Sequence, residues 1–183
     1  VGSEMCIRDS NHTIFCDMTC LGRYPDIAGT GLHLEKGLEK IGHYKELPFV
    51  KDGDSELMPQ PIDFLGINVY NGHEVSVTGH IKKKPGSPRT ALGWPVTPGV
   101  MNYGIRYMYE RYNLPIYIFE DGLACNDIIS LDGKVHDSNR IDFLTRYLTD
   151  LEKAYKAGVP ILGYFHWSFT DNFEWHSGYD PRF

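Results

Sequence analysis

Residues 114–122 read LPIYIFEDG. Five of the six residues from Leu114 to Phe119 are aliphatic or aromatic, and the other is Pro115. Such a run, too short for a helix and opened by proline, reads as a buried strand. It ends on Glu120, Asp121 and Gly122, so a carboxylate stands where the strand leaves the core.

The neighbouring segments repeat the pattern. QPIDFLGINVY, residues 60–70, is apolar, carries β-branched residues and begins after a proline, which predicts another strand. PILGYFHWSF, residues 160–169, predicts a third. Between the first two, Met101, Ile105, Met108, Tyr109 and Tyr112 recur at helical spacing, with Thr97 as the expected cap and Pro98 in the first turn. Between the last two, Ile141, Leu144, Tyr147, Leu148, Leu151, Ala154 and Tyr155 share one helical face over about 140–157. Asp137 or Ser138 is the expected cap, and Gly158 the stop. Strands and helices that alternate in this way predict an α/β fold with parallel strands covered by helices.

Side chains alternate along a strand, so Glu120 is expected on the face of Ile118 and Ile116, with Phe119 and Tyr117 opposite. On the same rule Tyr70 goes with Asn68, Gly66 and Phe64, and Trp167 with Phe165 and Gly163. The C-terminal ends of parallel strands are where α/β folds bind ligands.

Composition narrows the partners. The 183 residues fit one domain, and 42% hydrophobic with 13% aromatic residues argues against disorder. A net charge of −6 disfavours nucleic acid or an anionic membrane. No apolar run is long enough for a membrane-spanning helix. VGSEMCIRDS, residues 1–10, fits nothing that follows and resembles a linker-derived scar, not a signal peptide. It is set apart from residues 11–183.

Cys16 and Cys20, with His12, match no usual zinc spacing, so no metal is expected. They and Cys125 read as free thiols in a reducing cytoplasm. Asn11-His12-Thr13 is a glycosylation sequon that matters only if the chain is secreted. Leu32–Ile41 suggests a helix interrupted by Gly37. Residues 73–95, with KKKPGSP inside, read as a long polar loop.

Just past the third strand, Trp167, Glu174 and Trp175 lie within nine residues. An indole covers the apolar face of a sugar ring while a carboxylate accepts from its hydroxyls. No nucleotide-type glycine loop or serine elbow is present. Each residue alone has a plainer reading. Glu120 could be a turn acid, Trp167 a core aromatic, Glu174 a cap or surface acid, Tyr70 a packing residue. The functional reading gains because all four fall at strand ends or just after one.

Three segments carry a family resemblance. PIYIFEDG resembles the P-(I/L)-Y-(I/V)-T-E-N-G motif of family 1 glycoside hydrolases, the β-glucosidase family. QPIDFLGINVYNG resembles that family's Q-P-I-D-F-L-G-(I/L)-N-Y-Y segment, and GYFHWSFTDNFEWHSGYDPRF its G-Y-F-x-W-S-L-x-D-N-F-E-W segment. The resemblance implies part of a (β/α)8 TIM barrel, strands 6–8 with their helices, truncated at both ends. It implies retaining hydrolysis of β-glycosides without a cofactor, with Glu120 the nucleophile and Tyr70 its hydrogen-bonding support. Asn68, Trp167, Glu174, Trp175 and Phe183 match substrate-binding positions. An acid at 174 disfavours phosphorylated sugars, because it would repel the dianion.

Departures from the family pattern carry their own expectations. Phe119 stands for a threonine and is expected on the helix layer. Val69 stands for a tyrosine and is expected to face away from the sugar. Asp121 stands for an asparagine and sets a like charge beside Glu120, which makes the pair harder to ionise together. No N-E-P motif, the family's acid/base signature, is present. The competing readings are a non-catalytic carbohydrate-binding module and a generic α/β domain.

Overall fold

The computed structural model describes residues 10–23, 50–72, 75–76, 79–80 and 85–183. The expected helix at Leu32–Ile41 and the segment before Ser10 lie outside the described residues.

The elements in chain order are α1 (Ser10–Leu21), a single turn α2 (Asp54–Leu57), β1 (Leu65–Asn68), β2 (Val75–Ser76), β3 (Gly79–His80), α3 (Val100–Tyr112), β4 (Ile116–Asp121), α4 (Ser138–Lys156) and β5 (Ile161–His166). A 3-10 turn follows at Trp175–Ser177. The sheet has the order β1-β4-β5 and both pairings are parallel. The three predicted strands and two predicted helices are therefore present, with β4 in the centre. The polar excursion before α3 holds the small antiparallel ribbon β2–β3 and a bridge between Arg89 and Pro95.

Apolar spacing explains the core. Met101 and Ile105 of α3, Phe143, Tyr147, Leu151 and Ala154 of α4, and Ile116 and Ile118 of β4 form one buried cluster. Phe143 and Tyr147 stack with centroids 3.8 Å apart. Val69 is buried in the same cluster, on the helix side.

Two caps differ from expectation. Gly99, not Thr97, precedes α3, because the Thr97 hydroxyl is taken by the backbone N–H of Gly72 at 2.7 Å. Asp137 does sit at the start of α4, but its carboxylate accepts from Arg140 at 2.6 Å instead of capping the helix. Helix α1 had no sequence signal. It is anchored by buried Asp17, which accepts from Arg111 Nε at 2.6 Å and from the Tyr112 hydroxyl at 2.9 Å.

Strict alternation fails at the end of β4. Ile67 pairs with Ile118 and Asn68 with Glu120, so Phe119 is an extra residue against β1. Against β5, Ile118 pairs with Tyr164 and Asp121 with His166, again one residue too many on β4. This is a bulge, and it resets which face follows. Phe119 does not lie on the helix layer: it is 44% exposed on the opposite face. There it packs against Phe64, Tyr117 and Phe165, at centroid distances of 6.0, 6.0 and 6.2 Å. Glu120 likewise parts from fully buried Ile116 and Ile118. Gly66 is required here, since a Cβ on it would lie 2.2 Å from the Phe119 ring.

Candidate active site

The bulge delivers Glu120 to a tyrosine. The Tyr70 hydroxyl, just beyond β1, donates to Glu120 Oε2 at 2.6 Å. Burial first, and then that bond, hold the Tyr70 phenol above its ordinary pKa, so it stays a donor. Asn68 is the partner of Glu120 in the ladder and is exposed beside it.

Tyr70 is itself held by two rings. Trp94 lies edge-on at 5.4 Å and Phe183 at 5.9 Å, and Trp94 and Phe183 are 6.4 Å apart. Phe183 is only 6% exposed, so it buttresses Tyr70. Its position follows from Arg140. That buried guanidinium bonds Asp127 at 2.8 Å and the carbonyl of Arg182 at 2.6 Å. The bridge between Cys125 and Arg182 completes the anchorage. Sequence reasoning missed Trp94, although Gly93-Trp94-Pro95 set a large aromatic in a turn.

The next residue goes the other way. Asp121 is fully buried and accepts from the Tyr164 hydroxyl at 2.8 Å. Burial raises its carboxyl to about 7, only partly opposed by the Tyr164 bond. Desolvation, rather than the adjacent Glu120, is therefore what makes this acid hard to ionise. The Asp121 carbonyl also accepts from the N–H of Trp167 at 2.9 Å. Gly122 admits this approach, since a Cβ there would fall 1.7 Å from the Trp167 carbonyl oxygen.

Beyond Trp167 the chain turns back. Glu174 accepts from the side-chain amide of Asn172 at 2.8 Å, and its N–H donates to the carbonyl of Gly178 at 2.7 Å. Its charge reaches Tyr70, adding to what holds that phenol up. Tyr70, Glu120 and Phe183 are thus brought together, with Glu174 within electrostatic reach of Tyr70. Trp167 is tied to Asp121 through the backbone. Trp175 stands apart at 82% exposure. Two surface pockets of about 380 and 320 Å³ are present, the first lined by Thr90, Cys125 and Phe143, the second by Gly66, Met108 and the candidate site residue Asn68.

Among the described residues no cluster of three or more His, Cys, Asp or Glu side chains is placed to hold a metal ion. No helix among them is long and apolar enough to cross a membrane.

Three parallel strands under helices thus set a tyrosine-bonded carboxylate at the strand ends. The profile of glycosyl hydrolase family 1 matches residues 3–183, and the chain belongs to that family. A 1,4-β-D-glucan glucohydrolase of Thermotoga neapolitana is 37% identical over 95% of this chain and 40% of its own length. An aryl-phospho-β-D-glucosidase of Bacillus subtilis is 31% identical over 91% of this chain and 39% of its own. The structure of a Thermotoga maritima β-glucosidase in complex with glucoimidazole superposes with a TM-score of 0.77 at 36% identity. It is matched over 94% of this chain and 38% of that one. The chain thus spans about two fifths of the relatives it matches, and its three parallel strands are part of a TIM barrel.

Proposed function

We propose that the complete barrel to which this chain contributes hydrolyses β-glycosidic bonds with retention, through a covalent glycosyl intermediate on Glu120. The observation that carries this reading is the 2.6 Å bond from Tyr70 to Glu120 Oε2. A hydrogen bond from a phenol favours the carboxylate form and aims its free oxygen. In the first step that oxygen bonds the anomeric carbon while the glycosidic C–O bond breaks; in the second, water displaces it.

The substrate class in this reading is an unphosphorylated β-glucoside or related β-glycoside. Asn172 steadies Glu174 as an acceptor for sugar hydroxyls, and its negative charge disfavours a phosphate. Trp167 forms the platform beneath the ring, Asn68 and Trp175 supply contacts at its edge, and Phe183 packs behind Tyr70. In this reading the leaving group takes its proton from a residue outside this chain, so the chain alone is inactive.

The test is mechanism-based labelling of the complete enzyme with dinitrophenyl 2-deoxy-2-fluoro-β-glucoside, followed by peptide mass spectrometry. A stoichiometric adduct on Glu120, absent in Glu120→Gln, is expected. Reversible binding without an adduct would mean a carbohydrate-binding module, and an adduct on another residue would overturn the assignment.

A further inference from the structure

We propose that Tyr147 is a positioning residue: its hydroxyl, on the covering helix α4, fixes the backbone of Tyr70 and thereby aims that phenol at Glu120. This rests on the reading of Glu120 as nucleophile and adds to it a residue that touches no substrate.

The geometry is a clamp at the point where the ladder of β1 runs out. β1 ends at Asn68, and the Val69 N–H still donates to the Glu120 carbonyl at 2.8 Å. At Tyr70 a side chain takes over. The Tyr147 hydroxyl donates to the Tyr70 carbonyl at 3.1 Å and accepts from the Thr97 N–H at 2.8 Å. The Thr97 hydroxyl in turn accepts from the Gly72 N–H at 2.7 Å and donates to the Gly72 carbonyl at 3.3 Å. The backbone that carries Tyr70 is thus held at residue 70 from α4 and at residue 72 from Thr97. The same Tyr147 hydroxyl ties Tyr70 to the segment bearing Trp94, one of the two rings against it.

Packing alone does not need this hydroxyl. The Tyr147 ring is fully buried and stacks on Phe143 at 3.8 Å, a place that phenylalanine would fill. A hydroxyl in the core is costly unless it is hydrogen-bonded, and here both its donor and its acceptor capacity are used on backbone groups. Burial holds the phenol above its ordinary pKa, so it keeps the proton it donates. The Tyr70 ring meets Trp94 and Phe183 edge-on. Apolar contacts carry little direction, whereas hydrogen bonds do, so the backbone sets where the Tyr70 hydroxyl stands. A misplacement of about 1 Å there is enough to slow the chemistry by up to about 100-fold.

The experiment times the labelling of Glu120 by the dinitrophenyl fluoroglucoside in the complete enzyme, with the rate taken per labelled site so that unfolded protein does not enter. In Tyr147→Phe the rate at saturating reagent should fall roughly 3- to 30-fold, while the half-saturating concentration stays within about 2-fold of native. A smaller labelled fraction with an unchanged rate would mean a structural role only and overturns the proposal. The decisive arm is the cycle with Tyr70→Phe. That variant has no hydroxyl left to aim, so adding Tyr147→Phe to it should slow labelling by less than about 2-fold more. An equal loss on both backgrounds, with the label on Glu120, overturns the proposal. Thr97 gives a second reading that leaves the core ring in place. Thr97→Val cuts the bonds to Gly72 and should slow labelling, and Thr97→Ser, which keeps the hydroxyl, should recover most of the rate. Equal rates in these two variants also overturn the clamp. A label on another residue removes the nucleophile reading and the proposal with it, so the two failures are distinct.

Discussion

The Tyr70 hydroxyl and Glu120 Oε2 meet at 2.6 Å although fifty positions separate them in the chain. The bulge at Phe119 makes the meeting possible, because strict alternation would leave Glu120 on the helix side with Ile118. The aromatic pair Trp94 and Phe183 then holds the tyrosine in place.

Tyr70→Phe in the complete enzyme should lower kcat/KM for a nitrophenyl β-glucoside by about 10- to 150-fold. That corresponds to losing a hydrogen bond to a charged group, about 1.5–3 kcal/mol. Folding should be little changed, since the ring still packs on Trp94 and Phe183. A kcat/KM within about 2-fold of native would show that the bond has no part in catalysis.

Glu174→Ala should cost about 2–4 kcal/mol in kcat/KM, as sugar hydroxyls lose their acceptor. The contrast to measure is the plain glucoside against its 6-phosphate. Higher kcat/KM on the phosphorylated substrate in the native enzyme would refute the assignment of Glu174 as a barrier to phosphate.

Asp121 gives stability an unusual pH dependence. Its folded carboxyl titrates at about 7, above the value of about 3.9 for an unfolded aspartate. Between these values the folded state holds a proton that the unfolded state has lost. The stabilising contribution is therefore complete at low pH and lost as pH rises to about 7. Asp121→Asn should gain on the native protein over this window by at most about 4 kcal/mol. Urea midpoints at pH 5 and pH 8 read it: a difference between the two proteins that is the same at both pH values would exclude the effect.

Residues 11–183 expressed alone should aggregate and show no β-glucosidase turnover. Phe64, Phe119 and Phe165 form an exposed aromatic face, and β1 and β5 are the outer strands of the sheet among the described residues. Unpaired parallel edges beside such a face invite association. On the proposed mechanism the proton donor comes from outside this chain, which adds an expected loss of roughly 10²- to 10⁴-fold. Size exclusion and a glycosidase assay check this; a monomer with measurable turnover would contradict it.

Much of the architecture was legible in the residue order. Alternating apolar strand runs and helical stripes determined the parallel sheet, the covering helices α3 and α4, and the placement of Glu120, Tyr70 and Trp167 at strand ends. These are local properties, set by periodicity and by turn residues such as Gly158. The caps were less legible, because Thr97 and Asp137 have side chains that suit a cap but found stronger partners in Gly72 and Arg140.

Contacts between distant segments were decided only by the tertiary structure. No periodicity announces the extra residue at Phe119, which arises from fitting β4 between two neighbours of different register. That misfit left Phe119 on the open face beside Tyr117, where alternation already put it, and released Glu120 toward Tyr70. Trp94, Arg140 and Tyr164 show their roles only once the chain has brought Tyr70, Arg182 and Asp121 beside them. The sequence by itself determined which side chains stand at the strand ends. Packing decided which of them touch, and burial decided which keep their protons, because register and desolvation depend on the whole assembly of strands and helices.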